Sequence, residues 1–265
     1  MISQVSLRRI AFSLLGIIMA APLLVVFGVS VNEKKSLTFP PQGFNLGWYG
    51  DLFRSSDWSD AVLNSAIIAA SSAAFAVVIA FPIAWFNWRY RLGWVKVVTT
   101  IGLAPFLLPP VITALGFLSF WTQAGLYGQY FTVIVSHGIF LVSLPLVSLT
   151  LGFSTLDASL PEAAATMGAD NRVILRTVVF PLVRPYLISG FAFAFVVSLN
   201  EYLIAYMTVG AVLETLPMRI FNSLRYGYTP AMASASIFFV ILTIVIFSLV
   251  ARFGDLPKLL GAHTK

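Results

Sequence analysis

Six long apolar stretches, each about the length a helix needs to cross a bilayer, constrain this chain more than any motif in it. A hydrocarbon core of about 30 Å takes roughly 20 apolar residues of helix. The stretches fall near residues 10–31, 62–86, 96–120, 130–153, 183–208 and 231–252. With 265 residues, 59% hydrophobic content and a mean hydropathy of +0.92, the chain has too much apolar surface for one soluble core. The expectation is an all-α polytopic membrane protein with six transmembrane helices. No tandem repeat, low-complexity tract or linker divides it, so residues 1–265 are read as a single transmembrane domain.

Orientation follows from Lys and Arg, because basic loops resist translocation. With the N-terminus inside, the inner segments hold Arg8, Arg9, Arg89, Arg91, Lys96, Arg172, Arg176, Arg184, Arg252, Lys258 and Lys265, eleven of the sixteen basic residues. The outer segments hold Lys34, Lys35, Arg54, Arg219 and Arg225. Both termini therefore read as cytoplasmic, and the net charge of +6 needs no nucleic-acid partner to explain it. Arg8-Arg9 before the apolar run also has the form of a secretory signal. That run exceeds the roughly 7 to 15 residues of a signal's apolar region, so a retained first helix is expected. The absence of Cys rules out disulfides and thiolate metal sites.

Residues 32–61 form the longest outer loop, where Trp48, Tyr49 and Trp58 lie among Asp51, Asp57 and Asp60. Two readings fit it: a contact surface for a periplasmic partner, or an aromatic belt at the headgroups. The second span is rich in Ala and Ser from Ser65 to Ala80, which suits close helix packing in lipid. The third carries Pro105, Pro109 and Pro110, each removing a backbone donor and bending the helix. Kinks there line a pathway or gate, or merely fit the bundle.

Between the fourth and fifth spans, Ser159-Leu-Pro-Glu162 has the S-x-x-E form of a capping box, in which the two side chains satisfy free donors at a helix start. The helix would run through Ala163 and Ala164, break at Gly168, and be followed by a second short helix capped by Asp170 and ending before Pro181. Arg172 and Arg176, four apart, would share a face. Two readings stand: a coupling surface held by a cytosolic motor subunit, or an ordinary connector. Capping alone does not demand successive alanines, a Gly at the break and a Pro at re-entry.

The spacing Glu162, Ala163, Ala164, Gly168, Pro181 resembles the EAA loop of binding-protein-dependent ABC importer permeases. Asn64-Ser65, Pro109-Pro110-Val-Ile, Ser136-His137, Leu144-Pro145 and Ser198-Leu-Asn-Glu201 are similar to the second permease subunit of spermidine/putrescine importers, over roughly residues 7–255. The resemblance implies a type I importer permease fold of the MetI-like kind, with a coupling loop at about 154–182. It implies transport of a small, polyamine-like solute by alternating access in the bacterial inner membrane. It further implies two ATP-binding subunits holding ATP and magnesium, a second homologous permease, and a periplasmic solute-binding protein; this chain itself would bind no cofactor. Two departures are visible. Asn200-Glu201 stands where that subunit has paired acids, and Phe180 replaces the usual Leu.

Glu201 is the one acid well inside a span, and ionisable groups at that depth usually face an interior, a cavity or a partner. Counting from Val183 at 1.5 Å per residue places it roughly 27 Å along, toward the outer side. There it attracts a cation in a pathway shared with Asn200, Pro109 and Pro110, or helps close an outer gate, or is a satisfied polar group near the interface. His137 has no titratable neighbour at helical spacing, so a structural hydrogen bond is expected of it. The chain has no phosphate loop, metal-ligand cluster or nucleophile elbow, so its energy must come from a partner or a gradient. The rivals are a gradient-driven carrier acting without an ATPase, a permease for another small organic or anionic solute, and a membrane enzyme.

Overall fold

The computed structural model describes residues 4–90, 93–210, 212–227 and 229–253. Of the basic residues used for topology, Arg91, Lys258 and Lys265 lie outside them. The helices are α1 (Gln4–Ser30), α2 (Gly47–Arg54), α3 (Ser56–Tyr90), α4 (Gly93–Leu107), α5 (Pro110–Gln123), α6 (Tyr130–Leu141) and α7 (Ser143–Ser154). They are followed by α8 (Ser159–Thr166), α9 (Asn171–Ile174), a π turn (Leu175–Val179), α10 (Phe180–Asn200), α11 (Leu203–Val209), α12 (Leu216–Tyr226) and α13 (Pro230–Phe253). No strand occurs among the described residues.

Four helical segments are long and apolar enough to cross a membrane: Ala11–Ser30, Ser56–Tyr90, Asn171–Asn200 and Pro230–Arg252. Two bent pairs, α4 with α5 and α6 with α7, supply the others if each pair is one span, which gives the expected six. The third span is broken rather than kinked, since α4 and α5 meet at 105°. Pro109 and Pro110 have no N–H, so the carbonyls of Pro105 and Phe106 lose the donors four residues on. Pro109 then adopts an extended conformation (ψ 130) and Pro110 opens α5 at its first position. The fourth span bends by 43° beside Val142, where Pro145 cannot donate to the Leu141 carbonyl.

The chain forms two compact units, Met1–Val62 with Met218–Leu242, and Leu63–Pro217 with Thr243–Lys265. In the first, buried Asn32 organises the segment after α1. Its amide donates toward Ser36 and Thr38, its Oδ1 accepts the Gln42 N–H, and its carbonyl accepts Trp48 Nε1 at 2.8 Å. Ser234 Oγ donates to the Ser30 carbonyl. Arg219 pairs with Asp57 at 2.6 Å and lies 5.6 Å over the Trp58 ring, so this arginine is engaged by an acid and an aromatic of α3.

In the second unit α7 and α10 approach most closely where small residues meet. A Cβ on Gly190 would lie 2.7 Å from Pro145 Cα, and Ser148 Oγ donates to the Tyr186 carbonyl at 2.7 Å. Asn64 Nδ2 donates to the Glu214 carbonyl and Ser65 Oγ accepts the Leu216 N–H, so the polar start of the second span ties down the segment after α11.

The orientation yields a direct check, because the chain contains no native Cys to confuse it. Single cysteines at positions 40 and 222 should react with an impermeant thiol reagent from the periplasm, and one at position 172 should not. The reverse pattern would overturn the orientation.

Candidate functional site

The segment between α7 and α10 is built by three local devices. Its first is a cap: Asp157 Oδ1 accepts the Ser159 N–H at 2.9 Å, and that amide holds the Asp157 carboxyl below its ordinary range. The expected capping box is absent. The helix already includes Ser159, its N-cap position falls on Ala158, and Glu162 is exposed in the first turn. An upstream carboxylate has taken the role assigned to Ser159.

The second device is the stop. Gly168 has φ +89, its N–H bonds the Ala165 carbonyl at 2.9 Å, and Ala169 N–H bonds the Ala164 carbonyl at 3.0 Å. This paired reversal ends α8 with a left-handed residue, the conformation Gly adopts at least cost. Immediately before it, Met167 is 84% exposed.

Third comes the restart, in which Asp170 Oδ1 accepts the Val173 N–H at 2.7 Å, as the sequence suggested for Asp170. The second short helix does not end before Pro181. The helix runs from Asn171 through to Asn200, because the π turn with Phe180 N–H bonded to the Leu175 carbonyl absorbs the proline's missing donor.

Ala164 and Ile174 are buried in a cluster with Trp85, Phe153, Val179 and Val183. The Trp85 and Trp88 rings lie 6.0 and 5.7 Å from that of Phe153. Glu162, Ala163 and Met167 face outward. The segment thus has an anchored side and a free side, the arrangement a rigid docking element requires.

A second constellation forms where α10 stops. Glu201 is extended (φ −76, ψ 121), so the span expected over 183–208 is interrupted and resumes as α11. Glu201 Oε2 accepts the N–H groups of Ile204 at 2.9 Å and Ala205 at 3.2 Å, two free donors at the start of α11. The same oxygen lies 3.2 Å from His137 Nε2, and His137 Nδ1 is 2.8 Å from Ser198 Oγ. His137 therefore does have a titratable neighbour. It comes from another helix, which no spacing along one helix could show. Asn200 is exposed, with its amide bonded back to the Val196 carbonyl.

Pro109 and Pro110 sit at the exposed break between α4 and α5. Beside that break is an apolar cavity of about 690 Å³, lined by Pro105, Ile112, Phe117, Trp121 and Ile139 among others. The loop after α5 is tied to the end of α11, since the Gly128 N–H bonds the Thr208 carbonyl at 3.0 Å, and Ala114 packs in one cluster with Ile204. The two interrupted spans are therefore neighbours within this unit. Among the described residues no group of three or more His, Cys, Asp or Glu could hold a metal ion.

Residues 43–255 match the family described as binding-protein-dependent transport system inner membrane component. The spermidine/putrescine transport system permease protein PotC of Haemophilus influenzae is 28% identical over 238 residues, covering 87% of this chain and 91% of that protein. The putrescine transport system permease protein PotI of Escherichia coli is 32% identical over 234 residues, covering 84% and 82%. Among solved structures, a bacterial ABC transporter that imports the acidic polysaccharide alginate superposes with a TM-score of 0.70 at 16% identity, over 93% of this chain and 95% of its own.

Proposed function

Because the chain belongs to the family of binding-protein-dependent transport system inner membrane components, we propose that it moves a polyamine-like cation from periplasm to cytoplasm by alternating access. The chain is a permease subunit of an ABC importer with the MetI-like fold, and it is not a catalytic enzyme. The observation that carries the substrate class is the likeness to two polyamine permeases along most of both chains.

In this reading residues 1–265 act as one permease domain in the bacterial inner membrane, beside a second, similar permease. A periplasmic binding protein delivers the solute. Two ATP-binding subunits hold ATP and magnesium and grip the loop at about 154–182, with Glu162, Ala163, Ala164 and Gly168 on or beside the contact and Pro181 at the helix that carries the movement inward. Supporting it, the loop is capped, stopped and anchored on one side only. The breaks at Pro109-Pro110 and at Glu201 place free backbone groups and one carboxylate inside two spans, which membrane proteins tolerate where a cavity or pathway is lined. Asn200 and Glu201 would meet the solute there.

The test is uptake of labelled putrescine into vesicles holding the assembled importer. Glu201→Gln keeps size and hydrogen bonding but removes the charge. An attraction of roughly 1 to 3 kcal/mol corresponds to about five- to 150-fold in uptake efficiency. Unchanged kinetics with normal assembly would make Glu201 structural and turn the substrate toward neutral or anionic solutes.

A further inference from the structure

His137 is 1% exposed and the Glu201 side chain 9%. The carboxylate oxygen nearest the ring already accepts two backbone N–H groups, and His137 Nε2 makes no aligned hydrogen bond. Ring and carboxylate stand 3.2 Å apart, with little water between them to screen a charge on either. Ser198 Oγ can accept from or donate to Nδ1, so it serves either protonation state of the imidazole.

We propose that His137 is the selectivity residue of this site, setting the charge that Glu201 presents to the solute. With a neutral imidazole the pair carries one negative charge and attracts an ammonium group. With an imidazolium the pair is neutral and the attraction is lost. This rests on the reading that Glu201 meets the substrate. Protonation of the ring therefore closes the site to cations.

Nothing else charged faces the ring among the described residues. α5 and α7 contain no Asp, Glu, Lys, Arg or His. From α3, Ser72 bonds the Ile134 carbonyl and Phe75 abuts Gly138, whereas Arg89 and Tyr90 lie about 21 Å further along that helix. Phe106 of α4 meets Phe140, and Lys96 is about 15 Å back from it. On α10, Arg184 and Tyr186 precede Ser198 by about 18 to 21 Å. α11 offers Tyr206, stacked on Tyr202 beside the break.

Putrescine uptake by the assembled importer, normalised to ATP hydrolysis at each pH, should fall about tenfold between mildly alkaline and mildly acidic medium, a loss of about 1.4 kcal/mol of attraction. His137→Gln and His137→Asn should flatten that profile. Glu201→Gln should lower uptake at every pH while keeping a pH dependence, since protonating His137 then takes the pair from neutral to one positive charge. If Glu201→Gln lowers uptake but both His137 variants keep the wild-type profile, the role of His137 is overturned and the Glu201 site survives. If Glu201→Gln changes nothing, the substrate site itself is wrong. Should neither His137 variant assemble, a wild-type uptake profile that is flat over this range would overturn the inference.

Discussion

Transport is expected to be lost, with membrane insertion intact, when Gly168 is replaced by Asp or Glu162 by Arg. Both positions lie on the free side of the α8 segment, so neither change disturbs the anchored cluster around Ala164 and Phe153. Nothing lies within 4 Å of a Cβ placed on Gly168, so its substitution cost is conformational, through φ +89. Asp and Asn visit that region more readily than other side chains, which makes Gly168→Asn the control for geometry. The Asp variant adds a charge that docking would bury unpaired, and such a charge typically costs about 3 to 5 kcal/mol. Arg at position 162 reverses a charge in the first turn of α8. In the isolated chain the helix dipole makes that worth only about 0.3 to 1 kcal/mol. A large loss of uptake can then only come from docking. Coupled uptake and ATPase rates in reconstituted vesicles check it; wild-type coupling in the Asp and Arg variants would remove residues 154–182 from the ATPase contact.

What the residue string made plain, and what it hid, divide along physical lines. The spans were legible because bilayer thickness sets a length and hydropathy needs no partner to be read. Gly168 and Asp170 were legible because each acts on backbone within three or four residues. Ser159 was misassigned because two caps compete there: the upstream Asp157 reaches the Ser159 amide and moves the helix start by one residue. Pro181 was read as a boundary because a proline ends an α-helix. A π turn, which the sequence does not announce, carries the helix past it. The prolines at 109 and 110 foretold a bend but not one of 105°, since the angle depends on what packs against each half. His137, Ser198 and Glu201 were hidden for a simpler reason: the contact joins α6 to the end of α10, 61 residues apart for His137 and Ser198, and no local period records it.

Gly190→Leu is expected to weaken the packing of the second unit, the largest structural effect of any single substitution considered. α10 crosses α7 with so little space that a Cβ at Gly190 would stand 2.7 Å from Pro145 Cα, 3.0 Å from Pro145 Cβ and 3.3 Å from Ser148 Cβ. The nearest of these atoms is backbone, and Pro145 is the least able of residues to shift its own chain, because its ring fixes φ. Overpacking a well-filled interior usually costs about 1 to 3 kcal/mol; a clash with backbone belongs at or beyond the upper end. Two helices in lipid have no hydrophobic drive to hold them, so losing close contact removes most of what joins them. The paired hydrogen bond from Ser148 to Tyr186 would be lost as well. Gly116→Ala is the matched control: it too is helical, but nothing lies within 4 Å of its Cβ. It should stabilise by roughly 0.5 to 1 kcal/mol through helix propensity alone. Thermal unfolding of the purified complex in detergent should therefore move down for Gly190→Leu and slightly up for Gly116→Ala. Equal midpoints for the two variants would show that the α7–α10 crossing does not limit stability.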